Sequence, residues 1–111
     1  MAVAGETITG IAVEERARVL AALREHEREL RARGVTRLAL FGSVARGDLG
    51  PKSDVDLLVE VDAGRGFGLF AFLDLKDDLA ALLGRPVDLA FLDAMRPRLR
   101  EMVLRDAIEV F

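Results

Sequence analysis

Two aspartates one residue apart, Asp54 and Asp56, stand at the start of the apolar run DVDLLVEV. If this run is a strand, residues i and i+2 point to the same face, with their α-carbons about 6.5–7 Å apart. Two carboxylates held this close repel each other, and apolar surroundings make both anions costly. A divalent cation relieves that conflict, and magnesium prefers one or two carboxylates together with water and phosphate oxygens. The pair therefore predicts a magnesium site that a phosphorylated substrate completes.

A candidate phosphate-binding segment precedes the aspartates, where Gly42-Ser43 interrupts an apolar stretch. Glycine lets the backbone come close to an anion, and Ser43 offers a backbone N–H and a hydroxyl as donors. If VARG at 44–47 forms a helical turn, the amides at its start also favour negative charge. Arg46 and Lys52 add positive charge nearby, so this segment is predicted to bind phosphate.

A third carboxylate, Asp88, lies in RPVDLAF as a polar residue within an otherwise apolar strand pattern. If that strand is a neighbour of DVDLLVEV in the sheet, Asp88 faces the same site. Three carboxylates and two metal ions are typical of in-line phosphoryl or nucleotidyl transfer. One ion then lowers the pKa of the attacking hydroxyl, and the other holds the triphosphate and the leaving pyrophosphate.

Each of these features has a simpler explanation when it is taken alone. An Asp-x-Asp pair is usually a turn or a solvated strand end, Gly-Ser after a strand is usually a turn, and Asp88 could pair with Arg85. The combination of all of them favours a functional site. The Walker phosphate loop does not fit, because GDLGPKS has Pro51 where that motif needs lysine directly after glycine. His26, among the charged residues of a helix, is expected to face solvent.

The elements that must position these residues follow from the hydrophobic periodicity and the Gly and Pro signals. They are a helix over 13–33, a strand over 35–41, a helical turn over 44–47, a strand over 54–61, a helix over 69–83, a strand over 86–92 and a helix over 98–107. This order predicts one α/β (α+β) domain over 1–111, a small mixed β-sheet with helices packed on it. Residues 1–10 are expected to form a loose N-terminal lead-in.

The composition is that of a soluble globular domain and excludes several classes of function. Of 111 residues, 51% are hydrophobic and 32% charged, with no cysteine and a single histidine, so a disulfide and a thiolate metal site are excluded and a structural zinc site is not expected. A net charge of −3 disfavours direct binding of nucleic acid through its phosphates. The sequence shows neither a signal peptide nor a membrane span, and a cytoplasmic location is expected.

The block GSVARGDLGPKSDVDLLVEVD resembles the nucleotidyltransferase superfamily that includes polymerase beta. It is most similar to the minimal nucleotidyltransferases, the MNT half of HEPN/MNT toxin–antitoxin pairs. The matching segments are Gly42-Ser43, Ala45-Arg46-Gly47, Ser53-Asp54-Val55-Asp56-Leu57 and Val87-Asp88-Leu89. The resemblance extends to the first helix and to the tail LREMVLRDAIEVF, so it covers nearly the whole chain and implies a nucleotidyltransferase-like core.

The resemblance also implies a reaction and a set of roles. Asp54 and Asp56 would bind two Mg²⁺ ions, and Asp88 would complete the metal site and help to activate the acceptor. Gly42 and Ser43 are implied to bind the triphosphate of ATP. Arg46 and Ser53 are implied to be further nucleotide-binding residues. The implied reaction transfers AMP to a tyrosine of a HEPN toxin, a ribonuclease, which is thereby silenced within a hetero-oligomer.

Two other functions stay open from the sequence. The chain could be a binding module that neutralises a toxin by occlusion, with a vestigial nucleotide site. It could also be a nucleotidyltransferase for a small molecule of the aminoglycoside type, although such enzymes usually have a second domain. The chain contains no tyrosine, so a tyrosine acceptor must lie on another chain.

Overall fold

The structure is a computed structural model that describes residues 2–47, 54–62, 64 and 66–111. It describes side chains from Glu14 onward within those ranges, apart from Ser43. Within these ranges, helices and strands follow one another along the chain. They are α1 (Ala2–Glu25), α2 (Glu27–Ala32), β1 (Val35–Phe41), α3 (Gly42–Arg46), β2 (Val55–Val61), α4 (Leu69–Leu83), β3 (Val87–Phe91), the 3-10 turn (Leu92–Ala94), α5 (Pro97–Asp106) and β4 (Ile108–Glu109).

The four strands form one mixed sheet in the order β3-β2-β1-β4. β1 is antiparallel to both β2 and β4, whereas β2 and β3 are parallel. A parallel pair needs a long crossover connection, and α4 provides it between β2 and β3. The predicted mixed sheet with helices packed on it is therefore confirmed, and β2 is a central strand, as its apolar middle indicated.

One face of the sheet carries the main core. Alternate strand residues, among them Leu40, Leu57 and Leu89, pack there against Val19 and Leu23 of α1, Leu30 of α2, and Leu75, Leu79 and Leu83 of α4. This arrangement follows from the two-residue period of a strand, which sends every second side chain to the same face. The other face carries a smaller cluster in which Ala39, Leu58 and Leu92 meet Val103 and Leu104 of α5.

The first helical segment differs from the prediction in two ways. It begins at Ala2, so residues 2–10 are helical and the expected loose lead-in is wrong for them. Gly5 and Gly10 have low helix propensity, but extending an existing helix costs much less than starting one. The predicted single helix over 13–33 is also interrupted by a turn at His26, which separates α1 from α2.

His26 is half-buried at this turn and is therefore less exposed to solvent than the sequence predicted. Its backbone N–H donates to the carbonyl of Leu23 at 3.1 Å. Its ring Nδ1 lies 2.9 Å from the carbonyl oxygen of Ala22. The ring therefore makes a local contact with backbone of the preceding helical turn, which the charged neighbours in the sequence did not indicate.

The other helices and strands lie close to their predicted bounds. α4 spans Leu69–Leu83 as predicted and ends at Gly84, whose φ of +66° is the left-handed conformation that glycine adopts readily. β4 was not predicted, and it forms because β1 pairs with Ile108 and Glu109. Within the described part of the chain, no helix is long and apolar enough to cross a membrane.

Candidate active site

The sheet register brings two of the predicted carboxylates side by side. β2 and β3 are parallel, and Asp56 pairs directly with Asp88. Directly paired residues on adjacent strands point to the same face, and neighbouring strands lie about 4.8 Å apart. The condition attached to Asp88 in the sequence, that its strand be a neighbour of β2, is met.

Asp54 joins this pair from just before β2, two residues ahead of Asp56. Asp54 and Asp88 are exposed, whereas Asp56 is half-buried. The charges of both exposed carboxylates act on Asp56, since burial first and then the charges of Asp88 and Asp54 raise the pKa of Asp56. The three carboxylates thus form one electrostatic unit at the open end of the sheet face that α5 covers.

Gly42, the first residue of α3, lies directly against Asp56. Its φ is +74°, and a β-carbon built on it would overlap Oδ2 of Asp56 and lie 2.9 Å from Cγ. Only glycine therefore fits both the backbone conformation and the space. The Asp56 carboxylate lies directly against the backbone at which α3 begins.

Arg46, the last residue of α3, brings positive charge to the same place. Its guanidinium acts on Asp56 and opposes the upward shift of the pKa that burial and the other carboxylates cause. The side chain is exposed and lines a cleft beside Gly42. Arg46 is thus brought to the carboxylates, as the phosphate-binding interpretation of its segment requires.

A cleft of about 270 Å³ opens beside Gly42, between the end of β1, α3 and α5. Its lining residues are Phe41, Gly42, Arg46, Leu99, Met102, Val103 and Asp106. The α5 residues of this lining were not singled out from the sequence. Their spacing predicted only an amphipathic helix, and the sheet face on which that helix packs is set by tertiary structure.

A second and larger cleft, of about 410 Å³, lies between the α1–α2 junction and α4. It is lined by His26 and Leu30 among others and is crossed by an ion pair between Arg33 and Asp78 at 2.8 Å. Neither the aspartate pair nor Gly42 borders it. Asp54, Asp56 and Asp88 line neither cleft, but Gly42 and Arg46, which lie beside Asp56, line the smaller one, so the smaller cleft is the one that adjoins the candidate site.

The carboxylates of the site do not form a metal-binding cage by themselves. Among the described residues, no three His, Cys, Asp or Glu side chains are grouped so that they could hold a metal ion. Magnesium does not need such a cage, because it takes one or two carboxylates and completes its shell with water and substrate phosphates. Asp56 and the two carboxylates whose charges act on it fit that requirement, and the space beside Gly42 is taken up by the Asp56 carboxylate.

Other predicted residues lie wholly or partly outside the described residues. Ser53 and Lys52 lie outside the described residues. Ser43 belongs to α3, but its side chain is also outside the description. Arg85, offered as a possible partner of Asp88, instead makes an ion pair with Glu15 of α1 at 3.0 Å.

Comparison with known proteins agrees with this geometry. The family model described as the nucleotidyltransferase domain matches residues 23–110. The chain belongs to the nucleotidyltransferase family, in its minimal (MNT) branch. The matched segment includes every element from the end of α1 to β4, and so the whole candidate site.

One curated relative and two solved structures are similar to this chain over most of its length. A protein adenylyltransferase, MntA, of Thermococcus cleftensis is 38% identical over 89 residues, which cover 79% of this chain and 88% of the relative. A solved structure assigned to the minimal nucleotidyltransferases is 42% identical, with a TM-score of 0.69, over 87% of this chain and 93% of its own. A toxin–antitoxin complex with AMP-PNP is 26% identical, with a TM-score of 0.59, over 74% of this chain and 66% of its own.

Proposed function

We propose that this nucleotidyltransferase transfers AMP from ATP to a hydroxyl of a partner toxin of the HEPN class, and thereby acts as its antitoxin. The observation that carries the proposal is the alignment of Asp56 with Asp88, with Asp56 against the backbone of Gly42 and within reach of the charge of Asp54. The adenylyltransferase relative and the toxin–antitoxin neighbour with AMP-PNP support the choice of nucleotide and of partner.

The reaction joins the acceptor oxygen to the α-phosphorus of ATP and breaks the bond from that phosphorus to the bridging oxygen, so that pyrophosphate leaves. Asp54 and Asp56 would hold Mg²⁺, with two ions as the family resemblance implies. When bound, magnesium would neutralise charge on the triphosphate and make the acceptor hydroxyl more acidic.

The protein groups then have distinct tasks. Asp88, exposed beside Asp56, would orient the acceptor hydroxyl and favour the departure of its proton. Gly42 would let a phosphate approach the backbone, and Arg46 would place positive charge beside it. Ser43 and Ser53 are proposed to donate hydrogen bonds to the nucleotide.

The acceptor is proposed to be a tyrosine of the partner, since this chain contains none. ATP contributes the AMP, and the hydroxyl contributes only its oxygen, so no redox partner is needed. The modified toxin would carry a phosphodiester in place of a phenolic hydroxyl. That bulky and charged group can block a ribonuclease surface.

A labelling experiment tests this function. The chain is incubated with magnesium, ATP labelled in its α-phosphate and the source lysate, and the transfer of label to lysate proteins is measured. The intact chain is compared with Asp56→Asn and with Glu60→Gln, a control that removes a carboxylate farther along β2. One labelled protein is expected with the intact chain and with the control, and none with Asp56→Asn. Mass spectrometry of the labelled band then identifies the acceptor residue.

Neutralisation by occlusion is a second candidate, favoured by the exposed apolar side chains at the start of α4. Leu69 is 68% exposed and Phe70 is 82% exposed, and such side chains in contact with each other are typical of protein-binding surfaces. If Asp56→Asn still protects cells that express the toxin, occlusion replaces transfer as the function.

A further inference from the structure

Helix α1 reaches three other elements through arginine side chains that donate to backbone carbonyls. The contacts are Arg16 Nη1 to Ala45 O at 3.1 Å, Arg18 Nη2 to Leu83 O at 2.9 Å, Arg24 Nε to Val110 O at 3.3 Å and Arg24 Nη2 to Glu109 O at 3.1 Å. Arg18 thus contacts the end of α4, and Arg24 contacts the C-terminal strand. Of these three arginines, Arg16 is the one that contacts α3 beside the candidate site.

The carbonyl that Arg16 contacts is one that α3 cannot satisfy by itself. α3 has five residues, and the last four carbonyls of any α-helix have no partner within the helix. Ala45 is only 6% exposed, so an unpaired carbonyl there would be costly. A guanidinium is a charged donor, and charged donors make stronger hydrogen bonds than neutral ones.

This carbonyl also has a particular place in the site. It belongs to the peptide plane that joins Ala45 to Arg46, and a peptide plane moves as one rigid unit. A donor that holds the Ala45 carbonyl therefore also fixes the backbone from which the Arg46 side chain starts. Arg46 lines the cleft together with Gly42.

We propose that Arg16 is a positioning residue for the nucleotide site: it holds α3 in the orientation in which Gly42 and Arg46 meet the phosphates. The inference rests on the proposed function. Arg16 lies outside the motif that carries the family resemblance, and it acts through the backbone without touching the substrate.

Binding of a non-transferable ATP analogue tests the inference without any acceptor. The dissociation constant of α,β-methylene ATP with Mg²⁺ is measured by calorimetry for the intact chain, Arg16→Met, Arg16→Lys and Arg24→Met. Arg24 is the matched control, because it is on the same helix and makes the same kind of contact away from the site. We expect about tenfold weaker binding for Arg16→Met, from the loss of one charged hydrogen bond.

The two other variants are expected to bind much more like the intact chain. Arg24→Met is expected to bind within about twofold, and Arg16→Lys, which keeps a charged donor, within about threefold. Binding by Arg16→Met within twofold of the intact chain would overturn the inference. An equal loss in Arg24→Met would also overturn it, because the effect would then be one of general stability.

A double-mutant cycle shows whether Arg16 acts through Arg46. If it does, Arg16→Met combined with Arg46→Met binds no more weakly than Arg46→Met alone, because residues that act as a unit are not additive. Fully additive losses would show that Arg16 acts by another route and would contradict the proposal.

Amide hydrogen exchange separates this inference from the proposed function. The Gly47 amide donates to the Val44 carbonyl at 3.1 Å and so reports on the order of α3. If the intact chain binds no ATP analogue, the proposed function fails, and exchange at Gly47 still decides the positioning role. We expect roughly tenfold faster exchange in Arg16→Met than in Arg24→Met, and equal rates would refute the role.

Discussion

Ionisation of the Asp56 carboxyl group is less favourable in the folded protein than in the unfolded chain. This is common for carboxylates that bind a cation. Burial, and then the charges of Asp88 and Asp54, raise its pKa above the ordinary value of 3.8. An acid whose pKa is raised on folding destabilises the folded state wherever it is ionised, so the penalty appears as the pH rises above about 4.

Replacement of Asp56 by asparagine is therefore expected to stabilise the protein while it abolishes AMP transfer. At pH 7 in EDTA, the melting temperature of Asp56→Asn should exceed that of the intact chain by about 1–3 °C. The difference should disappear towards pH 3, where the carboxylate is protonated in both the folded and unfolded states. Mg²⁺ should raise the melting temperature of the intact chain only. A less stable variant at neutral pH would contradict this account of Asp56.

Gly42 offers a test of how closely the carboxylate lies against the backbone. In Gly42→Ala the new methyl group would overlap Oδ2 of Asp56, in addition to the strain of a φ of +74°. Gly47→Ala is a matched control, since its φ is +79° and nothing lies within 4 Å of the added carbon.

Urea denaturation should show that the free energy of unfolding falls by about 1 kcal/mol in Gly47→Ala and by about 2–4 kcal/mol in Gly42→Ala. Gly42→Ala should also lose Mg-dependent binding of the ATP analogue, because the Asp56 carboxylate must move. Similar losses of stability in the two variants would mean that backbone strain alone, and not the carboxylate, requires glycine at position 42.

At the scale of elements, α1 is joined to the turn between α4 and β3 by ionic contacts around Glu15. Arg18 and Arg85 both pair with its carboxylate, and Arg18 also donates to the Leu83 carbonyl. The hydrogen bond from Arg18, supported by that from Arg85, lowers the pKa of Glu15 from 4.5 to about 2, although burial opposes the shift. These contacts fix the turn from which β3 starts and thereby help to fix the register of Asp88.

The lowered pKa of Glu15 predicts how stability depends on pH. Its contribution is fully present above about pH 4.5 and is lost as the pH falls through about 2, so Glu15→Gln should be less stable by roughly 1–2 kcal/mol at pH 7. The difference in unfolding free energy between Glu15→Gln and the intact chain should disappear near pH 2. Glu27→Gln, which removes an exposed pair with Arg31 on one helix, should cost less than about 0.5 kcal/mol. A difference that does not change with pH would contradict the view that Glu15 stabilises the protein through its ionic contacts.

Elements with strong local signals were predictable, and those that depend on distant partners were not. α4 was predicted with its observed bounds because Gly84 marks the end of the helical pattern in the sequence. In the structure, Gly84 adopts the left-handed conformation that ends the helix. β4 has only two residues, too few for a period, and its existence depends on β1. The Asp54–Asp56 spacing was visible in the sequence, whereas the alignment of Asp88 required the sheet register. The contact of Arg16 with Ala45 had no sequence signal, because it joins residues 29 positions apart.

At the scale of the whole molecule, the apolar residues of α4 divide into a core set and a surface set. From the sequence alone, the Leu and Phe residues over 69–83 are most simply explained as core, although the apolar stretch over 67–73 is also a candidate for a partner surface. Leu75 is fully buried, but Phe70 is 82% exposed at the start of the same helix. The core interpretation is therefore wrong for the first turn of α4, which leaves an apolar surface.

Alanine substitutions should separate the two sets. Leu75→Ala is expected to cost about 2–5 kcal/mol of unfolding free energy, because it leaves a cavity in the main core. Phe70→Ala should change it by less than about 0.5 kcal/mol, because the side chain makes little contact within this chain. Urea denaturation measures both, and a large loss for Phe70→Ala would mean that the first turn of α4 is packed in solution.

The parallel pairing of β2 with β3 makes the site more sensitive to insertions and deletions than to many substitutions. One residue added between Val87 and Asp88 would move the aspartate to the face that Val87 and Leu89 occupy in the main core. The same addition within the turn around Gly84 and Arg85 could be absorbed without changing the pairing. A relative that keeps an aspartate near this position can therefore have lost the site if the number of strand residues before it differs by one.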